Sequence, residues 1–201
     1  MKNNKGFSLI EIVVVVGILG VIVVAITTFQ SNILKNNKIA QDSLSSAQDA
    51  RSILSMMIRE LRSASPGNDG AFAIAQAGTS TVTFYSDTDG DGLKEKIRYF
   101  LTSTTLKKGT IKPTGSPLSY NSGNETQSFL AYNIRNSTTT PLFEYYNANY
   151  TGTSSPLTQP VTTTSVRLVK INLVIDLDPN RAPIVRAFTS QVNLRNLKDN
   201  L

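Results

Sequence analysis

The 201-residue chain has no histidine, no cysteine and no tryptophan. Without histidine or cysteine, Ser-His-Asp and Cys-His catalysis are excluded, as are zinc sites that use those ligands. No disulfide can form, so cysteine usage carries no information on the redox compartment. Charge is sparse at 17% of residues, and aromatic residues make up only 7%. The net charge is +6, yet the only adjacent basic pair is Lys107-Lys108. Spread in this way, the excess describes a solvated basic surface rather than a nucleic-acid-binding stripe. The composition argues against a soluble enzyme, since no Ser-Lys or paired-carboxylate motif stands out among the many hydroxyl residues.

What the chain does have is unevenly placed. Residues 12–26 read IVVVVGILGVIVVAI, and the stretch free of charge extends over 12–34. A helix of about 20 residues crosses the ~30 Å hydrocarbon core. The β-branched residues would suit a strand in water. In lipid, however, an isolated segment must satisfy its own backbone, so helix is expected. Lys2 and Lys5 flank this block on its N-terminal side. A secretory signal would end at a small-residue cleavage site, but Thr27-Thr28-Phe29-Gln30 offers none. A simple anchor accounts for the length but not for Glu11. A carboxylate within an apolar helix costs roughly 2–3 kcal/mol near the centre and less near an end.

Lys5-Gly6-Phe7-Ser8-Leu9-Ile10-Glu11 closely resembles the processing site of type IV prepilins and type II secretion pseudopilins. The resemblance implies that a membrane prepilin peptidase removes residues 1–6 by cutting between Gly6 and Phe7. It also implies that Phe7 becomes an N-methylated terminus, with Glu11 at the fifth mature position. In the membrane Glu11 needs a partner, because an unpaired buried charge is expensive. The α-amine freed at Phe7 of a neighbouring subunit is a natural one, and such an ion pair sets register along an otherwise featureless apolar seam. The competing reading is that Glu11 serves only recognition by the peptidase or methylase. Gly17 and Gly20 are spaced i, i+3, so they do not make a GxxxG dimer motif.

Beyond the span, Ala40, Leu44, Ala47, Leu54, Met57, Ile58 and Leu61 recur at helical steps, with Lys38, Asp42, Asp49 and Arg59 on the opposite face. Ser65-Pro66-Gly67-Asn68 is expected to end this helix. The organisation read from the chain is thus a leader at 1–6, a membrane or filament-core helix at 7–34, an amphipathic helix at 35–65 and a β-rich domain at 66–201. The fold class is α+β, pilin-like, with a long N-terminal helix packed on a mainly antiparallel β-sheet domain. Strands are expected at 79–86, 94–101 and 104–112, with a break at Gly109, and these three read as a meander. Short strands are expected around 129–134 and 142–146. A long strand at 166–178, a turn at Asp178-Pro179-Asn180 and a return strand at 184–195 close the domain, with 197–201 as a tail. The segments at 97–101, 141–146 and 192–196 resemble those of J-type minor pseudopilins and related minor pilins.

Asp87-Thr88-Asp89-Gly90-Asp91-Gly92 is the one metal-like motif. It places Asp at positions 1, 3 and 5 and Gly at 6 of a calcium loop, with Glu95 at position 9. Position 12, normally a bidentate Glu, is Arg98. The alternative is an acidic hairpin turn, since Asp-Gly is a strong turn signal. Apart from calcium at Asp87, Asp89, Asp91 and Glu95, no cofactor is expected.

The resemblance implies a structural subunit of a type IV pilus or type II secretion-like filament, acting in filament initiation or tip assembly. Its partners would be the prepilin peptidase, other pilin or pseudopilin subunits, the inner membrane and the assembly platform. The chain would cross the inner membrane once, with its C-terminal domain outside the cytoplasm, before joining a filament or the cell surface. The competing reading is a membrane-tethered module that binds DNA or a surface in a competence-type pilus.

Overall fold

The computed structural model describes Gly6, residues 8–176 and residues 185–194. Phe7, the expected turn at 178–180 and the tail at 197–201 lie outside the described residues. The chain divides into two compact units, Met1–Leu44 and Ser45–Leu201. Among the described residues there is one α-helix, α1 (Leu9–Arg62), which contributes to both. In the first unit nearly every described side chain is exposed, as expected of a segment whose solvent is not water.

The second unit is built on the last part of α1 and eight strands: β1 (Ile74–Ala77), β2 (Thr81–Ser86), β3 (Glu95–Thr102), β4 (Thr105–Ile111), β5 (Thr126–Ala131), β6 (Phe143–Tyr146), β7 (Leu168–Asp176) and β8 (Val185–Asn193). All pairings are antiparallel. Among the described residues the strands form two sheets, β1-β2-β3-β4-β5 and β6-β7-β8. The chain between β5 and β6 explains the division. Ile134 donates its N–H to the Thr104 carbonyl (2.9 Å), then Arg135 donates to Val174 of β7 (2.8 Å). The Tyr145 hydroxyl of β6 reaches back to the Gly78 and Thr81 carbonyls at 2.9 and 3.1 Å, tying the sheets together.

Both sheets and the helix share one core. Ala50, Ile53, Leu54, Met57, Leu61 and Ala64 meet Ile74, Val82, Phe84, Ile97, Tyr99 and Leu106 of the first sheet. On the second sheet Phe143, Tyr145, Val169, Ile171 and Leu173 join the same cluster. The stripe read from the sequence is therefore shifted: Ala50 and Ile53 belong to it, whereas Ala40 and Leu44 are exposed. Helical periodicity locates a stripe, but only the sheets decide how far along the helix it is covered.

Three local features follow from the structure, one of them a correction. The helix ends at Arg62, before Pro66, because the next backbone donors turn to other partners: Ala64 N–H bonds Leu61 and Ser65 N–H bonds the Tyr85 carbonyl of β2 (2.9 Å). The Ser63 hydroxyl donates toward the Glu60 carbonyl (3.1 Å) and the Arg59 carbonyl (3.2 Å) at this end. Gly109 does not break β4, where it sits opposite Arg98 and Gln127. A Cβ there would lie 2.2 Å from Glu125 Oε1, so glycine lets that carboxylate lie across the strand. Finally, β2 is buried on both faces: Val82 and Phe84 lie in the core, and on the other side Tyr120 packs on Tyr85 with ring centres 4.9 Å apart.

Candidate functional site

The acidic turn joins β2 to β3. Gly90 and Gly92 adopt φ of 79° and 88°, a conformation that strains residues with a Cβ. The aspartates fold the turn by accepting its own N–H groups. Asp87 Oδ1 accepts from Gly90 at 2.7 Å and Oδ2 from Gly92 at 3.0 Å, while Asp91 Oδ1 accepts from Leu93 at 2.8 Å. Glu95, the first residue of β3, lies on the strand's inward side with Ile97 and Tyr99. Its Oε2 accepts from the Thr88 N–H (2.9 Å) and hydroxyl (2.8 Å). One oxygen each from Asp87, Asp89 and Glu95 lie within 4.8 Å of one another, whereas Asp91 stands outside this set. Lys112 contacts Asp89 and lies 3.8 Å from Asp91. Its hydrogen bond holds the Asp89 carboxyl below the usual range, and the lysine is correspondingly raised. Arg98, at the twelfth loop position, is engaged elsewhere, with Nε and Nη2 on Glu125 at 2.8 and 2.7 Å.

At the other end of the chain, Ser8 stands just before α1 and Glu11 lies in its first turn. The Ser8 N–H points to Glu11 Oε2 at 3.4 Å, and the Ser8 carbonyl accepts from Glu11 (3.0 Å) and Ile12 (3.2 Å). Ser8-x-x-Glu11 is thus one arm of a capping box, with Glu11 reaching back to the helix start, and an acidic group there complements the helix dipole. This local role of Glu11 is readable from the S-x-x-E spacing. From Leu9 to Leu34 the large apolar side chains are exposed, and α1 is long and apolar enough to cross a membrane. Two hydroxyls within it, those of Thr27 and Thr28, are satisfied internally. Thr27 Oγ1 bonds the Val23 and Val24 carbonyls, both at 3.0 Å, and Thr28 Oγ1 bonds Val24 at 2.8 Å. A Cβ at Gly17 or Gly20 would meet nothing within 4 Å. Gly6 is exposed, and Phe7 lies outside the described residues.

Residues 1–27 match the prokaryotic N-terminal methylation motif. No curated protein matches the chain. The methylation motif spans the leader, the Gly6-Phe7 junction, Glu11 and the apolar run as far as Thr27. It is a class III prepilin signal. Together with the long apolar helix and the antiparallel sheets, it is consistent with a type IV pilin-like protein. The methylation motif implies processing by a prepilin peptidase and assembly with other pilins, and it points to a structural subunit. The apolar helix behind it fits single-pass membrane anchoring.

A second polar centre, absent from the sequence analysis, lies under the helix. Glu60 is 6% exposed and accepts from the Tyr99 hydroxyl at 2.6 Å and from Lys108 Nζ at 2.7 Å. Burial, then the nearby Glu60 charge, push the Tyr99 phenol far above its ordinary range. The signal was available, because Glu60 follows Met57 by three positions and so falls on the stripe that Met57 and Leu61 define. Its neighbours Tyr99 and Lys108 face each other across β3 and β4.

Proposed function

We propose that this chain is a minor pilin or pseudopilin. It is made as a single-pass membrane precursor with its C-terminal domain outside the cytoplasm, is cut between Gly6 and Phe7, and is drawn into a filament by its apolar helix. One observation carries this reading. The methylation motif runs directly into a helix whose large apolar side chains, from Leu9 to Leu34, are exposed. In a membrane lipid covers such a surface, and in a filament neighbouring helices do. Glu11 then has two successive partners. Before assembly it caps its own helix through Ser8. After assembly it meets the α-amine of a neighbour's Phe7, which fixes the axial register of the bundle. Initiation of the filament or placement at its tip is the role that fits a minor subunit.

A second reading, a surface- or DNA-binding module on such a filament, draws on one patch. Phe129 and Tyr132 are 63% and 60% exposed, their ring centres are 6.1 Å apart, and Lys107 Nζ lies 5.0 Å from the Phe129 ring. Aromatic rings beside a cation are a platform for stacking.

The test replaces Glu11 with Val and follows in-cell crosslinking to neighbouring pilins. Membrane insertion is retained, since a carboxylate leaves the apolar segment, while incorporation falls sharply. Normal incorporation of Glu11→Val would overturn the register-setting role. In a strain lacking the chain, loss of the filament supports the structural reading. Loss of surface or DNA binding with filaments intact supports the second.

A further inference from the structure

The β2–β3 turn contains a group that its own fold leaves unsatisfied. Glu95 is 1% exposed, and its Oε1 is buried with no hydrogen-bond partner, although Oε2 is fully engaged by Thr88. A buried carboxylate oxygen without a donor is costly. The same carboxylate belongs to a cluster of three. Oxygens of Asp87 and Asp89 lie within 4.8 Å of an oxygen of Glu95 and of each other. Oxygens on opposite sides of a calcium ion bonded at 2.3–2.6 Å stand about 4.6–5.2 Å apart, so all three fit within one coordination sphere.

We propose that Asp87, Asp89 and Glu95 form a calcium site, with Lys112 standing in for the ion when it is absent. The ligand set is hard oxygen only, in a chain without histidine or cysteine, which selects calcium or magnesium over transition metals. Magnesium demands near-ideal octahedral geometry and gives up its water reluctantly. An irregular loop that also offers backbone carbonyls suits calcium better. The site departs from the helix–loop–helix pattern in one instructive way. The loop runs into a strand, so the twelfth residue, Arg98, pairs with Glu125 and plays no part. The buried carboxylate that closes the site is instead the ninth residue, Glu95, anchored by Thr88. Lys112, reaching in from just beyond β4, neutralises Asp89 from outside, and calcium must displace it. Competition with a tethered ammonium and the missing bidentate glutamate place the affinity in the range of extracellular calcium modules, a Kd of about 10⁻⁴–10⁻³ M.

The experiment is a calcium titration of the full-length protein in detergent micelles, read as the shift in melting temperature relative to chelator. The wild type gains stability, with half the shift at about 10⁻⁴–10⁻³ M calcium. Asp89→Asn, an exposed position that a fold tolerates, weakens binding at least tenfold, and Glu95→Gln abolishes it. Lys112→Met tightens it severalfold, which a lysine with a purely structural role would not do. Identical melting curves with chelator and with about 10 mM calcium, roughly ten to a hundred times the expected Kd, would overturn the proposal. So would an equal calcium response in wild type and Asp89→Asn, or weaker binding in Lys112→Met.

Discussion

Glu125 shows how a single carboxylate can organise a sheet surface. It lies across β4 in the space that Gly109 leaves open, and it holds Arg98 through two hydrogen bonds, at 2.8 and 2.7 Å. The Gln127 amide adds a third, at 2.7 Å. Chiefly because of the Arg98 hydrogen bonds, and against a smaller opposing effect of burial, its carboxyl sits below the usual glutamate range. The folded state therefore releases this proton more readily than the unfolded chain. Its contribution is complete above the unfolded value of about 4.3 and is lost as pH falls through the lower, folded value. Melting temperatures of wild type and Glu125→Gln should differ most at neutral pH, with the gap closing below about pH 4. A gap that is unchanged by acid would mean that the pair contributes nothing through ionisation. None of this was legible in the sequence. Gly109 read as a strand break because a glycine in a strand is ambiguous until the side chain lying over it is known.

At the scale of elements, what the sequence states well is periodicity. The alternation in 94–101 and 166–178 places Ile97, Tyr99, Val169, Ile171 and Leu173 inward, and all five are buried. The helical spacing around Met57 likewise finds Leu54 and Leu61. What it states poorly is partnership. β1 went unread because Ile74–Ala77 is short and has little apolar contrast, and it exists only because β2 offers an edge. The split into two sheets depends on long-range pairing that no local pattern encodes. The Glu60 centre belongs here too, since it joins α1 to β3 and β4. Glu60→Ala leaves the buried Tyr99 hydroxyl and the Lys108 ammonium, whose side chain is 15% exposed, without their acceptor. The expected loss is about 3–5 kcal/mol in chemical unfolding, and most of it should return in a Glu60→Leu, Lys108→Met double variant. A loss under about 1 kcal/mol for Glu60→Ala would place the pair among solvent-screened surface contacts instead.

For the whole molecule, the first 34 residues and the folded unit obey different solvents. Residues 45–176 and 185–194 bury their apolar side chains in one core in the usual way. The apolar run of α1 buries none, and its Thr27 and Thr28 hydroxyls turn back onto their own backbone, as a helix in hydrocarbon requires. That contrast, together with the methylation motif at 1–27, was the most legible part of the chain, because it rests on composition and short-range spacing alone. The acidic turn was legible as a motif, Glu95 at its ninth position included, but not in its geometry: Asp91 stands outside the carboxylate cluster, and neither the burial of Glu95 nor its unpartnered Oε1 can be read from spacing. The central claim, that this is a processed filament subunit, is tested most directly by the intact mass of the protein purified from the membranes of cells that contain a prepilin peptidase. The account predicts a chain beginning at Phe7, lighter by residues 1–6 and heavier by one methyl group, and an uncut chain when Gly6 is replaced by a bulky residue. A protein that retains Met1 in those cells, or that is cut after Ile26, would contradict it.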